Sequence, residues 1–86
     1  MKKSEQMSEI TGAQIRAARA LLRWTAEYLA ESASVGLSTV RRAEADDGMP
    51  AITSANLKLI KITLEAAGIE FIPINGGGVG VRFVNP

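Results

Sequence analysis

The chain has 86 residues, 47% of them hydrophobic, with ten basic and nine acidic side chains for a net charge of +1. That length fits one small domain with a modest core, and the apolar share excludes an intrinsically disordered chain. With no cysteine and no histidine, disulfides, thiolate metal sites, the commonest general base and the commonest metal ligand are all excluded, so neither an enzyme nor a metal or cofactor protein is expected.

No apolar run approaches the roughly 20 residues that span a bilayer, so no membrane partner is expected. Residues 1–9 lack the apolar stretch of a signal peptide, which predicts a cytoplasmic protein. The nearly balanced total charge does not announce a nucleic-acid binder, but its distribution is uneven. Between positions 11 and 45 there are five arginines (Arg16, Arg19, Arg23, Arg41, Arg42) and three glutamates (Glu27, Glu31, Glu44).

Taken in chain order, residues 1–9 are polar and aperiodic and read as a flexible tail. Helix 1 begins after Thr11, whose hydroxyl and Gln14 three residues on form a capping box, with Ile10 and Ile15 at the spacing of a hydrophobic staple. Ile15, Ala18 and Leu22 make one apolar stripe, and the helix is expected to end near Arg23. Trp24 falls at the junction, where packing is the commoner role for a tryptophan and stacking on a base the alternative. Thr25 caps helix 2, Glu27 favours its positive end, and Leu29, Ala30 and Ala33 form its inner face. After a corner at Ser34-Val35-Gly36, helix 3 starts with Gly36 as its cap. At about 100° per residue, Val40, Ala43 and Glu44 share one face and Ser38 and Arg42 the opposite one. Arg41 flanks the outward side, Thr39 lies on the other flank, and Leu37 sits near the exposed first turn.

A loop over 46–52, marked by Gly48 and Pro50, leads to helix 4, capped by Thr53 or Ser54 and stopped by Gly68. This helix carries two apolar stripes, one of Leu57, Ile60, Leu64 and Ala67 and a second of Leu59, Ile62 and Ala66, so it is expected to be covered from two sides. Residues 69–74 and 79–84 are β-rich and flank Asn75-Gly76-Gly77-Gly78, the pattern of a hairpin with a four-residue loop. The hairpin is expected to supply the second cover, with Phe71 and Phe83 packing inward. Its glycines match no phosphate-binding pattern and no helix follows them.

Two helices joined by a three-residue turn, the second turned outward, describe a helix-turn-helix. The stretch resembles the Cro/cI-type (Xre-like) helix-turn-helix family of prokaryotic repressors. The matching residues are Leu29-Ala30, Ala33, Val35, Ser38-Thr39-Val40, Arg42 and Glu44, and the likeness extends upstream through QIRAARALLRW. The implied fold is mainly α: a four-helix, lambda-repressor-like helix-turn-helix bundle over 10–68, followed by a C-terminal β-hairpin over 69–86. The resemblance gives the hairpin no clear role, but its second strand, 79–84, has an undefended apolar edge and is expected to pair with its two-fold mate as a dimerisation element. The tail resembles that of short Xre-like proteins ending in an EFI…GVR-type hairpin. The family usually has glycine where this chain has Ser34, a capping serine or threonine where it has Gly36, and a DNA-contacting glutamine where it has Ala26.

The resemblance implies double-stranded DNA as the partner. It places the base-reading positions on Leu37, Ser38 and Arg42, with Thr39 and Arg41 alongside and Thr25 as a phosphate donor. Arg42 has the geometry to take a guanine bidentately, and Arg41 is assigned either a base or a phosphate. Arg19 and Glu44 match the family's buried ion pair between helix 1 and helix 3. The implied function is a repressor-like transcriptional regulator binding a palindromic operator as a homodimer through residues 69–86 and helix 4, with no small-molecule ligand. An antitoxin or adaptor-like protein-interaction module, gripping its partner through the hairpin, is the alternative.

Overall fold

In a computed structural model describing residues 9–86, the chain is mainly helical. Its elements are α1 (Gly12–Leu22), α2 (Ala26–Ala33), α3 (Leu37–Glu44), α4 (Ser54–Ala66), β1 (Ile69–Ile72) and β2 (Gly80–Phe83). The tail expected over 1–9 lies outside the described residues except for Glu9.

Each helix begins where a side chain or a glycine frees the chain to turn. Thr11 accepts from the Gln14 N–H at 3.1 Å while the Gln14 side chain accepts from the Thr11 N–H at 2.9 Å, so the capping box is closed in both directions. Thr25 accepts from the Tyr28 N–H and Thr53 from the Asn56 N–H. Gly36 caps α3 through extended backbone alone. Both α1 and α2 end in left-handed corners on residues other than glycine, Arg23 at φ 60° and Ser34 at φ 60°. At each corner the next N–H reaches back to close the turn, Trp24 to the Arg19 carbonyl and Val35 to the Ala30 carbonyl, both at 3.0 Å.

The core is one cluster: Ile10, Ile15 and Ala18 around α1, Leu29, Ala30 and Ala33 from α2, Val40 and Ala43 from α3, Leu57, Ile60 and Leu64 from α4, and Ile69 from β1. Every residue of the expected inner faces of α2 and α3 is in it or, for Glu44, buried beside it. Each fully buried Leu, Ile or Val contributes about 1.5–3 kcal/mol, so the seven such side chains of this cluster dominate the favourable side of folding.

The hairpin departs from expectation twice. Its strands are antiparallel, with Ile69 opposite Phe83 and Ile72 opposite Gly80, so the connection runs over 73–79 rather than four residues. Pro73 has no N–H to give to the ladder and Gly76 turns the chain at φ +100°. Nor does the hairpin cover the second stripe of α4: Leu59 is 43% exposed, Ile62 50% and Phe83 45%. Instead β2 packs on α1 and β1 on the end of α4. The reason is polar as well as apolar. The buried Gln14 side-chain amide donates to the carbonyls of Ile72 at 3.2 Å and Gly80 at 2.9 Å, drawing both strands to α1. Ile69 and Phe71 then pack against the core, while Glu70 and Arg82 pair on the outer face at 3.0 Å. That hydrogen bond, with the arginine charge, holds the Glu70 carboxyl below its usual range.

Candidate nucleic-acid interface

The corner between α2 and α3 decides which side chains of α3 face outward. Ser34 takes the left-handed conformation that glycine adopts freely, at a cost of about 1–2 kcal/mol. Val35 then tucks partly against the core and Gly36 starts α3. From there the helical period sorts the residues. Val40, Ala43 and Glu44 are buried, Ser38, Arg41 and Arg42 are exposed, and Thr39 is intermediate. Leu37 is half-buried and packs against the core cluster, so less of it is presented outward than a position at the open first turn would offer. Thr25, at the start of α2, is exposed; its oxygen accepts the Tyr28 N–H, and its own O–H remains available to donate.

The inner side of α3 is held by charge as well as by packing. Arg19 Nε donates to Glu44 Oε2 at 2.8 Å and Nη2 to Glu44 Oε1 at 2.9 Å, a bidentate pair. The third arm, Nη1, donates to the Trp24 carbonyl at 3.0 Å. Glu44 is only 9% exposed, so the charge is compensated where water is scarce. The hydrogen bonds that Arg19 donates to Glu44 are the main influence raising the Arg19 pKa; partial burial opposes it, and the charges of Glu44 and Glu27 add to it.

Two residues without an expected role complete this clamp. Arg16 Nη1 donates to the Glu44 carbonyl oxygen at 2.5 Å, satisfying an orphan acceptor at the end of α3, and Arg16 Nη2 pairs with Asp47. The first-turn N–H groups of Gly12 and Ala13 donate to the Gly48 and Asp47 carbonyls at 2.8 and 3.3 Å. Gly12 permits this approach: a Cβ there would collide with the carbonyl oxygens of Asp46 and Ala43. The loop after α3 thus seals the start of α1, and the outward face of α3 has a fixed orientation against the bundle.

Electrostatically, the outward face is mixed. Arg42 has no ion-pair partner among the described residues. Arg41 does, with Nη2 lying 3.4 Å from Oε2 of Glu27 on α2. At the start of α2, Trp24 and Tyr28 meet edge to face, centroids 4.7 Å apart, with Tyr28 51% exposed. Neither Gly12 nor Arg16 carries a local signal for what it does, because each partner lies 28 or more positions away. Gln14 offers a partial one: it is a polar residue beside the buried Ile15, in a capping box that uses only its oxygen. Among the described residues no group of three or more acidic side chains is gathered as a metal site, and no helix is long and apolar enough to cross a membrane.

No protein-family model matches the chain, and a search of curated proteins finds no match either.

Proposed function

We propose that the chain is a sequence-specific DNA-binding regulator, repressor-like, built around a helix-turn-helix of the Cro/cI type in α2 and α3. The observation that carries this reading is the division of α3. One side is locked by Val40, Ala43 and the Glu44–Arg19 pair, while Ser38, Arg41 and Arg42 stand exposed on the other. A short helix fixed on its inner side and bearing two arginines outward suits the major groove, where arginine takes guanine O6 and N7 together. Thr25, at the start of α2, then donates to a phosphate, and the partly covered Leu37 offers its remaining surface to a thymine methyl.

In this reading the protein works as a two-fold dimer whose half-sites lie about 10 bp apart. Leu59 and Ile62 on α4 and Ile74, Val79, Phe83 and Val84 of the hairpin segment are exposed apolar residues of the two elements expected to form the interface, and among the described residues β2 has no strand on its outer edge. The same surface also supports the second reading, a protein-interaction module that grips a partner there.

Selection of bound duplexes from a random pool, at moderate salt, tests the proposal. The expected result is enrichment of a palindrome whose affinity falls steeply with salt, because phosphate contacts release counterions. A pool that shows no sequence preference overturns it. Capture of a tight protein partner by a chain that ignores DNA favours the second reading.

A further inference from the structure

We infer that Glu27 is a specificity-determining residue of this surface, restraining Arg41 so that it is withheld from the phosphates of random DNA. The inference rests on the proposed DNA-binding reading and assigns a role to an acidic residue which that reading leaves unused. Glu27 stands in the first turn of α2 and Arg41 in the last turn of α3. The two helices bring them together across the corner, with Glu27 Oε2 3.4 Å from Arg41 Nη2. Both side chains are 63% exposed.

Three consequences follow from the chemistry. An exposed pair of this kind is weak and salt-screened, so an arriving polyanion can compete for the arginine. While the pair persists it occupies one of the five guanidinium N–H donors, leaving the remaining donors free for a base edge. A phosphate that takes Arg41 must also come close to the Glu27 carboxylate. The charge gained on the DNA side is therefore partly cancelled, and a contact with random sequence yields less than a free arginine would. Arg42 has no such counterpart among the described residues. The two adjacent arginines thus differ, one free and one tempered.

The test compares the full chain with Glu27→Gln, Arg41→Ala and the double variant on random-sequence duplexes and on the duplex preferred in selection, each across a salt series. Glu27→Gln keeps the side-chain shape and removes the charge; a matching thermal melt shows that it is folded. The expected result is a gain of about two- to fivefold on random duplexes and a salt slope steeper by up to about 0.9, the value of one phosphate contact. The gain on the preferred duplex should be smaller, so the specificity ratio narrows. In the Arg41→Ala background the gain should largely vanish.

Four outcomes decide the matter. The pattern above supports the role. Binding by the wild-type chain with no gain on Glu27→Gln, or with an equal gain when Arg41 is absent, overturns it while the DNA-binding reading stands. Binding by Glu27→Gln but not by the wild-type chain overturns both readings, because a chain that binds no duplex has no specificity for Glu27 to set. If no variant binds any duplex, the restraint and the DNA-binding reading both fail.

Discussion

Arg42 leaves α3 about 200° around the helix from Val40 at the usual 100° per residue, and it has no acidic partner among the described residues. Its guanidinium therefore has both edges to offer. Arg42→Ala should lower affinity for the preferred duplex by about 1–3 kcal/mol and relax the choice at one base pair, as read by competition among single-base variants of that duplex. Uniform weakening across all variants would instead make Arg42 a phosphate contact. Arg19 and Glu44 govern stability rather than recognition. Removing one member of a buried pair strands the other, at about 3–5 kcal/mol. Arg19 keeps 26% of its side chain exposed, so Glu44→Ala belongs at the lower end of that range. At about 4–8 °C per kcal/mol for a domain of this size, its melting temperature should fall by more than about 10 °C. An apolar pair at both positions should cost less than either single change. Equal melts for wild type and Glu44→Ala would remove the pair as a structural element.

The two helix corners carry stored backbone strain that a single substitution can release. Ser34 sits at φ 60°, ψ 41° and Arg23 at φ 60°, ψ 36°, a region that costs a residue with a Cβ about 1–2 kcal/mol. Ser34→Gly removes that cost but makes the unfolded chain freer, which takes back about 0.4–1 kcal/mol. The net expectation is a gain of about 0.5–1 kcal/mol in chemical denaturation; a loss would show that the Ser34 side chain contributes something the corner needs. Most helix starts are legible in the sequence. Thr11 with Gln14, Thr25 and Thr53 mark helix starts through contacts three residues long, and Gly36 through extended backbone; three of the four are readable from spacing, and the start of α4 is narrowed there to Thr53 or Ser54. The left-handed turn at Arg23 is not legible, because no glycine announces it. Nothing near Gly12 in the sequence signals its role, and only the carbonyls of Ala43 and Asp46, more than thirty positions away, show why a side chain does not fit. The hairpin was legible as two strands and a turn. Its seat was not. A periodic stripe such as Leu59, Ile62 and Ala66 states that a face is apolar without stating what covers it, and the Gln14 amide, which draws the strands to α1, acts over 58 and 66 positions.

For the molecule as a whole, the uncovered side of α4 has consequences for assembly. Leu59 and Ile62 are near half exposed on a chain of 86 residues, and Phe83 and Val84 are 45% and 55% exposed. Apolar surface of this kind is stabilised by burial against a second copy, and a two-fold pairing also sets the distance between the two copies of α3. Light scattering after gel filtration at high micromolar concentration should report a dimer for the wild-type chain. Ile62→Asp should report a monomer with an unchanged helical circular dichroism signal, since a half-exposed position tolerates the charge once the partner is gone. A wild-type monomer would contradict the interface.

In the proposed DNA-binding mode the outward face of α3 meets the major groove. Backbone amide shift mapping, with the preferred duplex titrated into isotope-labelled protein, tests it most directly. The largest changes are expected at Thr25 and over 37–42, with little change over the hairpin connection at 73–79. The largest changes at 73–79 or on α4, with residues 37–42 unmoved, would contradict it.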